Sequence, residues 1–238
     1  MKVWLFAVLL VLWGNLLQRL VGPPAVLPGG SWQFVAAGAA LVAVSLLAAR
    51  LLALDAGDLG LRREPALHGV VIGAVAGASI ATIGVAVLRL APAIIGVPVV
   101  YGPLLTVPDD QLARHIALFL PLGAVIPEEV AFRGTLLAGL VRGMGIRAGV
   151  AASALTFAAW HLVVTLMTVY DTSLGQVAWL WVVTSVGALV VLFVGGVVMA
   201  ALRLVTGSLA TTIAAHWAFN AVILLGLWTD RPVAAPGT

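Results

Sequence analysis

Seven stretches of this chain are apolar over roughly 18 or more residues each, and that pattern constrains the fold more tightly than any motif does. They run Val3–Leu20, Trp32–Leu54, Ala66–Leu90, Leu112–Leu140, Ile146–Val169, Val177–Leu202 and Leu209–Trp228. A helix needs about 20 mostly apolar residues to cross the hydrocarbon of a bilayer. Backbone polar groups find no water there, so segments of this kind must satisfy them internally, as helices. The sequence therefore predicts an all-α, polytopic membrane bundle of about seven transmembrane helices.

Composition excludes most alternatives. The 238 residues are 63% hydrophobic and 9% charged, against about 25% charged in a soluble domain. No segment is polar enough to form a separate soluble unit, so residues 1–238 read as a single integral membrane domain. The net charge is +3, but the basic residues form no stripe with interleaved aromatics, which argues against nucleic acid. With no cysteine in the chain, disulfides, thiolate metal sites and a cysteine nucleophile are ruled out. Lys2 precedes the first apolar run and no A-x-A cleavage site follows it, so this run reads as a retained helix, not a signal peptide.

Gly/Pro signals separate some of the stretches, as at Gly22-Pro23-Pro24 and Pro28-Gly29-Gly30. Pro92–Val100, broken by Pro92, Gly96 and Pro98, reads as an irregular outer segment. If the N-terminus is cytoplasmic, the inner loops hold Lys2, Arg50, Arg62, Arg63, Arg142, Arg147 and Arg203. The outer side then holds only Arg19, Arg89, Arg114 and Arg231. This bias predicts a multi-pass protein of the cell membrane with its N-terminus inside and its C-terminus outside. Gly69, Gly73 and Gly77 recur every four residues and predict close packing of the third helix on a neighbour.

The polar residues inside the apolar stretches carry the functional information. Charge at the bilayer centre costs at least about 2.5–3.5 kcal/mol per residue on insertion scales, yet the fourth stretch holds Glu128, Glu129 and Arg133 near its middle. Glu129 and Arg133 are i and i+4, share a face and can pair. Glu128 is turned about 100° away, with no basic residue at i+3 or i+4. A buried carboxylate without its own cation is suited to general acid or base work. Pro127 withholds a backbone donor from the Gly123 carbonyl and predicts a kink. The fifth stretch contributes His161, and the seventh His216 and Asn220, again i and i+4. Polar groups at the same depth on three helices point to one shared site. His68 and His115 lie near helix ends and read as ordinary packing residues. Asn15 and Gln18 read as helix contacts.

Glu128-Glu129-x-x-x-Arg133, Phe157-x-x-x-His161 and His216-x-x-x-Asn220, in that order, resemble the three motifs of the CAAX-protease and bacteriocin-processing family, also called the Abi family. Phe132-Arg133-Gly134 and Leu59-Gly60-Leu61-Arg62 are similar to that family too. The motif-bearing resemblance covers about residues 112–228. It implies an intramembrane endopeptidase acting on a membrane-associated peptide or protein. Glu128 and His161 would activate a water molecule, His216 and Asn220 would stabilise the oxyanion, and Glu129 and Arg133 would be structural. No cofactor is expected on this reading. Two alternatives stand beside it. One is a zinc-dependent form of the same protease with Glu128, His161 and His216 as ligands. The other is a non-enzymatic immunity or scaffold protein on the same fold. The physiological substrate and the oligomeric state are left open by the sequence.

Overall fold

The computed structural model describes residues 1–21, 32–61 and 66–230. The Gly/Pro boundaries at 22–24 and 28–30, and the basic residues Arg62, Arg63 and Arg231, lie outside the described residues, as do the side chains of Gln18 and Arg19.

Eight helices and no strand are present among the described residues. They are α1 (Lys2–Val21), α2 (Trp32–Leu51), α3 (Ala66–Ile95), α4 (Asp109–Met144), α5 (Ile146–Trp160), α6 (Leu162–Tyr170), α7 (Ala178–Thr206) and α8 (Leu209–Thr229). Five of these, α2, α3, α4, α7 and α8, are individually long and apolar enough to cross a membrane, and α5 with α6 makes a sixth span bent by 46°. With the apolar α1, the bundle has the seven-part plan read from the sequence. Large apolar side chains such as Val75, Ile83, Val87 and Val191 project outward, as lipid-facing residues do.

Two expectations are corrected. The stretch Ile146–Val169 is not one straight helix: it breaks at His161, which has φ −86° and ψ 5°. No Gly or Pro lies near the break, so its cause is not local. The third helix runs past Leu90 through Pro92 to Ile95 and stops at Gly96, whose φ is +71°. Proline near a helix end removes few ladder bonds, and Pro92 still accepts the Gly96 N–H at 2.9 Å.

Around Pro127, where the sequence predicts a kink, the helix changes type. α4 is α-helical at Ile126–Glu129 but π-helical at His115–Phe119, Pro121–Val125 and Val130–Leu136. Widened turns of this type recur at functional sites. Gly123 and Gly38 make room around the proline. A Cβ on Gly123 would strike the Phe34 ring, and one on Gly38 would lie 2.8 Å from Pro127 Cγ.

Packing follows the small-residue rule for membrane helices. A Cβ on Gly73 or Gly77 would collide with the backbone of Thr211 or Ala215, so the glycine stripe presses α3 directly on α8. Phe6, Leu10, Leu41, Phe132, Leu136, Phe157 and Trp160 form a core where α1, α2, α4 and α5 meet. Within it Phe132 stands edge-on to Phe157 at 5.1 Å and to Trp160 at 5.5 Å, a favoured geometry for aromatic pairs.

The two ends of the bundle differ. At one end Asp58 pairs with Arg142 at 2.5 Å, and Arg203 donates to Asp58 O at 2.8 Å. Gly60, with φ +75°, lies against the Arg203 guanidinium and accepts the Leu209 N–H at 3.0 Å. The Leu59-Gly60-Leu61 stretch thereby ties the second loop to the α7–α8 turn. At the other end Arg89 pairs with Asp230 and Arg114 with Asp110, both at 2.8 Å. There the segment before α4 is fastened to the turn after α6, by a bridge between Tyr101 and Thr172 and by the Val100 N–H donating to Ser173 Oγ at 3.0 Å. The described inner-loop residues of the charge count thus share one end, as alternating spans require.

Candidate active site

α4 supplies two adjacent carboxylates with opposite environments. Glu129 is fully buried, and its Oε1 lies 3.2 Å from Arg133 Nη1 and accepts His216 Nδ1–H at 2.9 Å. The i, i+4 pairing expected from the sequence is present, and it has a third member from α8. The Thr212 hydroxyl, one turn before His216, also faces this carboxylate. Arg133 is 2% exposed, and its guanidinium lies 4.1 Å from the centre of the Phe157 ring. That stacking covers the cation with the motif phenylalanine of α5.

Glu128 has no such company. Its Oε2 is buried and makes no hydrogen bond among the described residues. It faces His161 Nε2 at 3.6 Å, beyond hydrogen-bond length. Glu128 and His161 stay slightly accessible, at 13% and 16%, where Glu129 is sealed. The His161 ring is held from its other side: Nδ1 bonds the Phe157 carbonyl at 2.9 Å. A carbonyl only accepts, so Nδ1 carries the proton, and in the neutral ring Nε2 presents a lone pair toward Glu128.

Phe157 joins the two halves of the site. Its ring centre lies 4.4 Å from that of His161 and 6.3 Å from that of His216. The structure therefore brings Glu128, His161, Glu129, Arg133 and His216 into one cluster. Asn220 is half-buried, one turn along α8 from His216 and on the same face by helical register. Its side chain forms no hydrogen bond among the described residues.

The histidines at the helix ends differ from one another: His115 is buried and His68 exposed. Neither joins the cluster. Sequence reasoning did not find the Glu129–His216 bond or the Thr212 contact, because both cross between helices and no spacing within one helix reports them. The role of Phe157 was signalled only by the motif.

Among the described residues, no three His, Asp or Glu side chains are grouped so as to hold a metal ion. His216 Nδ1 is already committed to Glu129. As arranged, Glu128, His161 and His216 do not fit such a site.

Residues 111–222 match the family model described as Rce1-like, Type II CAAX prenyl endopeptidase Rce1-like. The matched segment, somewhat under half of the chain, is similar to that family. The match spans all three motifs and agrees with the resemblance read from them. It supports a protease of the CAAX type, and the apolar helices make it a multi-pass membrane protein. No curated protein and no solved structure matches the chain significantly.

Proposed function

We propose that the chain is an intramembrane endopeptidase that hydrolyses a peptide bond of a membrane-associated protein or peptide with water activated by Glu128 and His161. The observation that carries this reading is the unpartnered, buried Oε2 of Glu128 facing His161 Nε2 at 3.6 Å. Both atoms are acceptors when His161 is neutral, so a water between them donates a proton to each and points its own lone pair away, toward a substrate carbonyl. Glu128 takes one proton as the hydroxide oxygen bonds the carbonyl carbon and the π pair moves onto oxygen. On collapse the C–N bond breaks and Glu128 returns the proton to the leaving amine.

His216 and Asn220 are assigned to the oxyanion. His216 uses Nδ1–H toward Glu129, so only its protonated ring can also donate from Nε2. The sealed Glu129 carboxylate keeps the ring aimed. Asn220 supplies an amide N–H from the same face. Such donors, working away from bulk water, contribute several kcal/mol. Glu129 and Arg133 support this arrangement and do not touch substrate. The reading needs no cofactor. The whole chain is taken as one membrane domain. Its N-terminus is placed in the cytoplasm on the loop-charge bias, so single cysteines at 58 and 109 should label from opposite faces.

The deciding experiment compares membrane proteomes of cells carrying wild-type protein and Glu128→Ala. New protein termini should appear only with the wild type. The purified wild type should keep its cleavage activity through exhaustive chelation. Identical termini in both strains would remove the protease reading; activity lost on chelation and restored by zinc would replace it with the metal-dependent one.

A further inference from the structure

The break at His161 has its cause on another helix. In a continuous α-helix the Val163 N–H would donate to the Ala159 carbonyl four residues back. The side-chain amide of Asn15, from α1, stands between those two groups. Its Oδ1 accepts the Val163 N–H at 2.9 Å, and its Nδ2 donates to Ala159 O at 2.9 Å. The second Nδ2 proton goes to Val11 O at 2.7 Å, on Asn15's own helix. Both donors and the carbonyl are used, and reversing the amide would set like against like, so the orientation is fixed by the network. The neighbouring Gly14 allows this approach: a Cβ there would strike the Trp160 ring.

We propose that Asn15 is a positioning residue for His161: its amide holds the α5–α6 helix open at the one point where the histidine must leave the helical path to face Glu128. The consequences run in order. With the break held, His161 adopts φ −86° and ψ 5°, outside the helical well. The Phe157 carbonyl then receives the ring Nδ1–H at 2.9 Å as well as the His161 backbone N–H at 3.3 Å. That bond fixes the tautomer and leaves Nε2 toward Glu128 at 3.6 Å. Without Asn15, Val163 N–H and Ala159 O lie in an apolar surround with no partner, and the least costly repair is to bond each other. The helix straightens and carries the imidazole off its line. The geometric part stands by itself; the catalytic part rests on the protease reading.

The test uses the full-length protein in detergent, with Asn15→Leu, which keeps the size and loses every hydrogen bond, and Asn15→Asp, which keeps the acceptor and loses both donors. Two readouts are taken: the ¹⁵N imidazole shifts of His161, assigned by loss of signal in His161→Gln, and kcat and KM on a cleaved peptide. The wild type should show a single Nδ1–H tautomer. Asn15→Leu should show mixed or reversed tautomers and a kcat lower by about tenfold or more, with KM within about twofold. Asn15→Asp should fall between. Unchanged His161 shifts and kcat in a folded Asn15→Leu protein would overturn the proposal. Failure of both variants to fold would also overturn it, by making Asn15 a residue of stability. If His161→Gln proves fully active, the protease reading fails, and the tautomer readout still decides the role of Asn15.

Discussion

Glu128 and Glu129 are neighbours in sequence, but the regions around them are built on opposite terms. Around Glu129, Arg133 and His216 both reach Oε1, and the carboxylate itself is sealed. Around Glu128 one oxygen is left without a hydrogen bond, next to a ring nitrogen too distant to bond it. An unsatisfied buried acceptor costs free energy. Glu129 Oε2 also lacks a hydrogen bond, so the two carboxylates differ in the cation and imidazole that hold Glu129 Oε1 and in the access left to Glu128. The contrast also shows how one turn of helix serves two environments, since a 100° rotation separates the sealed carboxylate from the accessible one.

The contrast is easiest to break at Glu128. Glu128→Gln should lower cleavage by about 10²–10⁴-fold, the usual contribution of a positioned base, while thermal unfolding in detergent stays within roughly 0.5 kcal/mol of wild type. A large loss of stability would mean that Glu128 belongs to the structural set. Glu129→Gln should do the reverse first. It strands Arg133 at 2% exposure, and breaking a buried pair on one side costs about 3–5 kcal/mol. Unfolding midpoints of the two variants, measured side by side, separate the two roles. A smaller effect sharpens the comparison at Asn220. Asn220→Ala should cut kcat by about tenfold or more and leave the midpoint unmoved, as removal of one oxyanion donor does.

The smallest effect is expected where an ion pair faces solvent. The backbone N–H of Asp55 and, beyond it, Arg142 hold the Asp58 carboxyl below its ordinary value of 3.8. A folded-state value that is depressed gives stability that is present above about pH 4 and fades as the pH falls through the folded value. Asp58→Asn should therefore cost at most about 1 kcal/mol at neutral pH. It should also flatten the acid limb of a melting-temperature profile between about pH 5 and 2. An unchanged acid limb would show that the loop end contributes nothing through charge.

What the sequence disclosed and what it withheld follow one physical line. Patterns written along a single helix were legible. Span count followed from apolar length, Glu129–Arg133 from i, i+4 spacing, the role of Gly73 and Gly77 from their four-residue repeat, and the distortion of α4 from Pro127. Interactions between helices were not. His216 binding Glu129 requires knowing how α8 lies against α4, and the break at His161 requires knowing that Asn15 of α1 reaches it. α3 exceeded its expected end because Pro92 sits where a helix tolerates it. His161, His216 and Glu128 were found as a set because polar groups deep in apolar runs are rare enough to stand out individually.

The glycine stripe of α3 lies far from the matched region 111–222, yet Gly77 abuts the backbone of Ala215, the residue before His216. The gap between those two backbones sets how far the histidine projects toward its partners, so Gly77 works as a shim behind the reactive face. Asn15 and Gly14 stand in the same relation to His161. A chimera that grafted the matched region onto foreign leading helices would inherit every motif residue and lose the tolerances that seat them. The heritable unit of this cluster is the whole bundle, and drift in the first 77 residues is registered at His161 and His216.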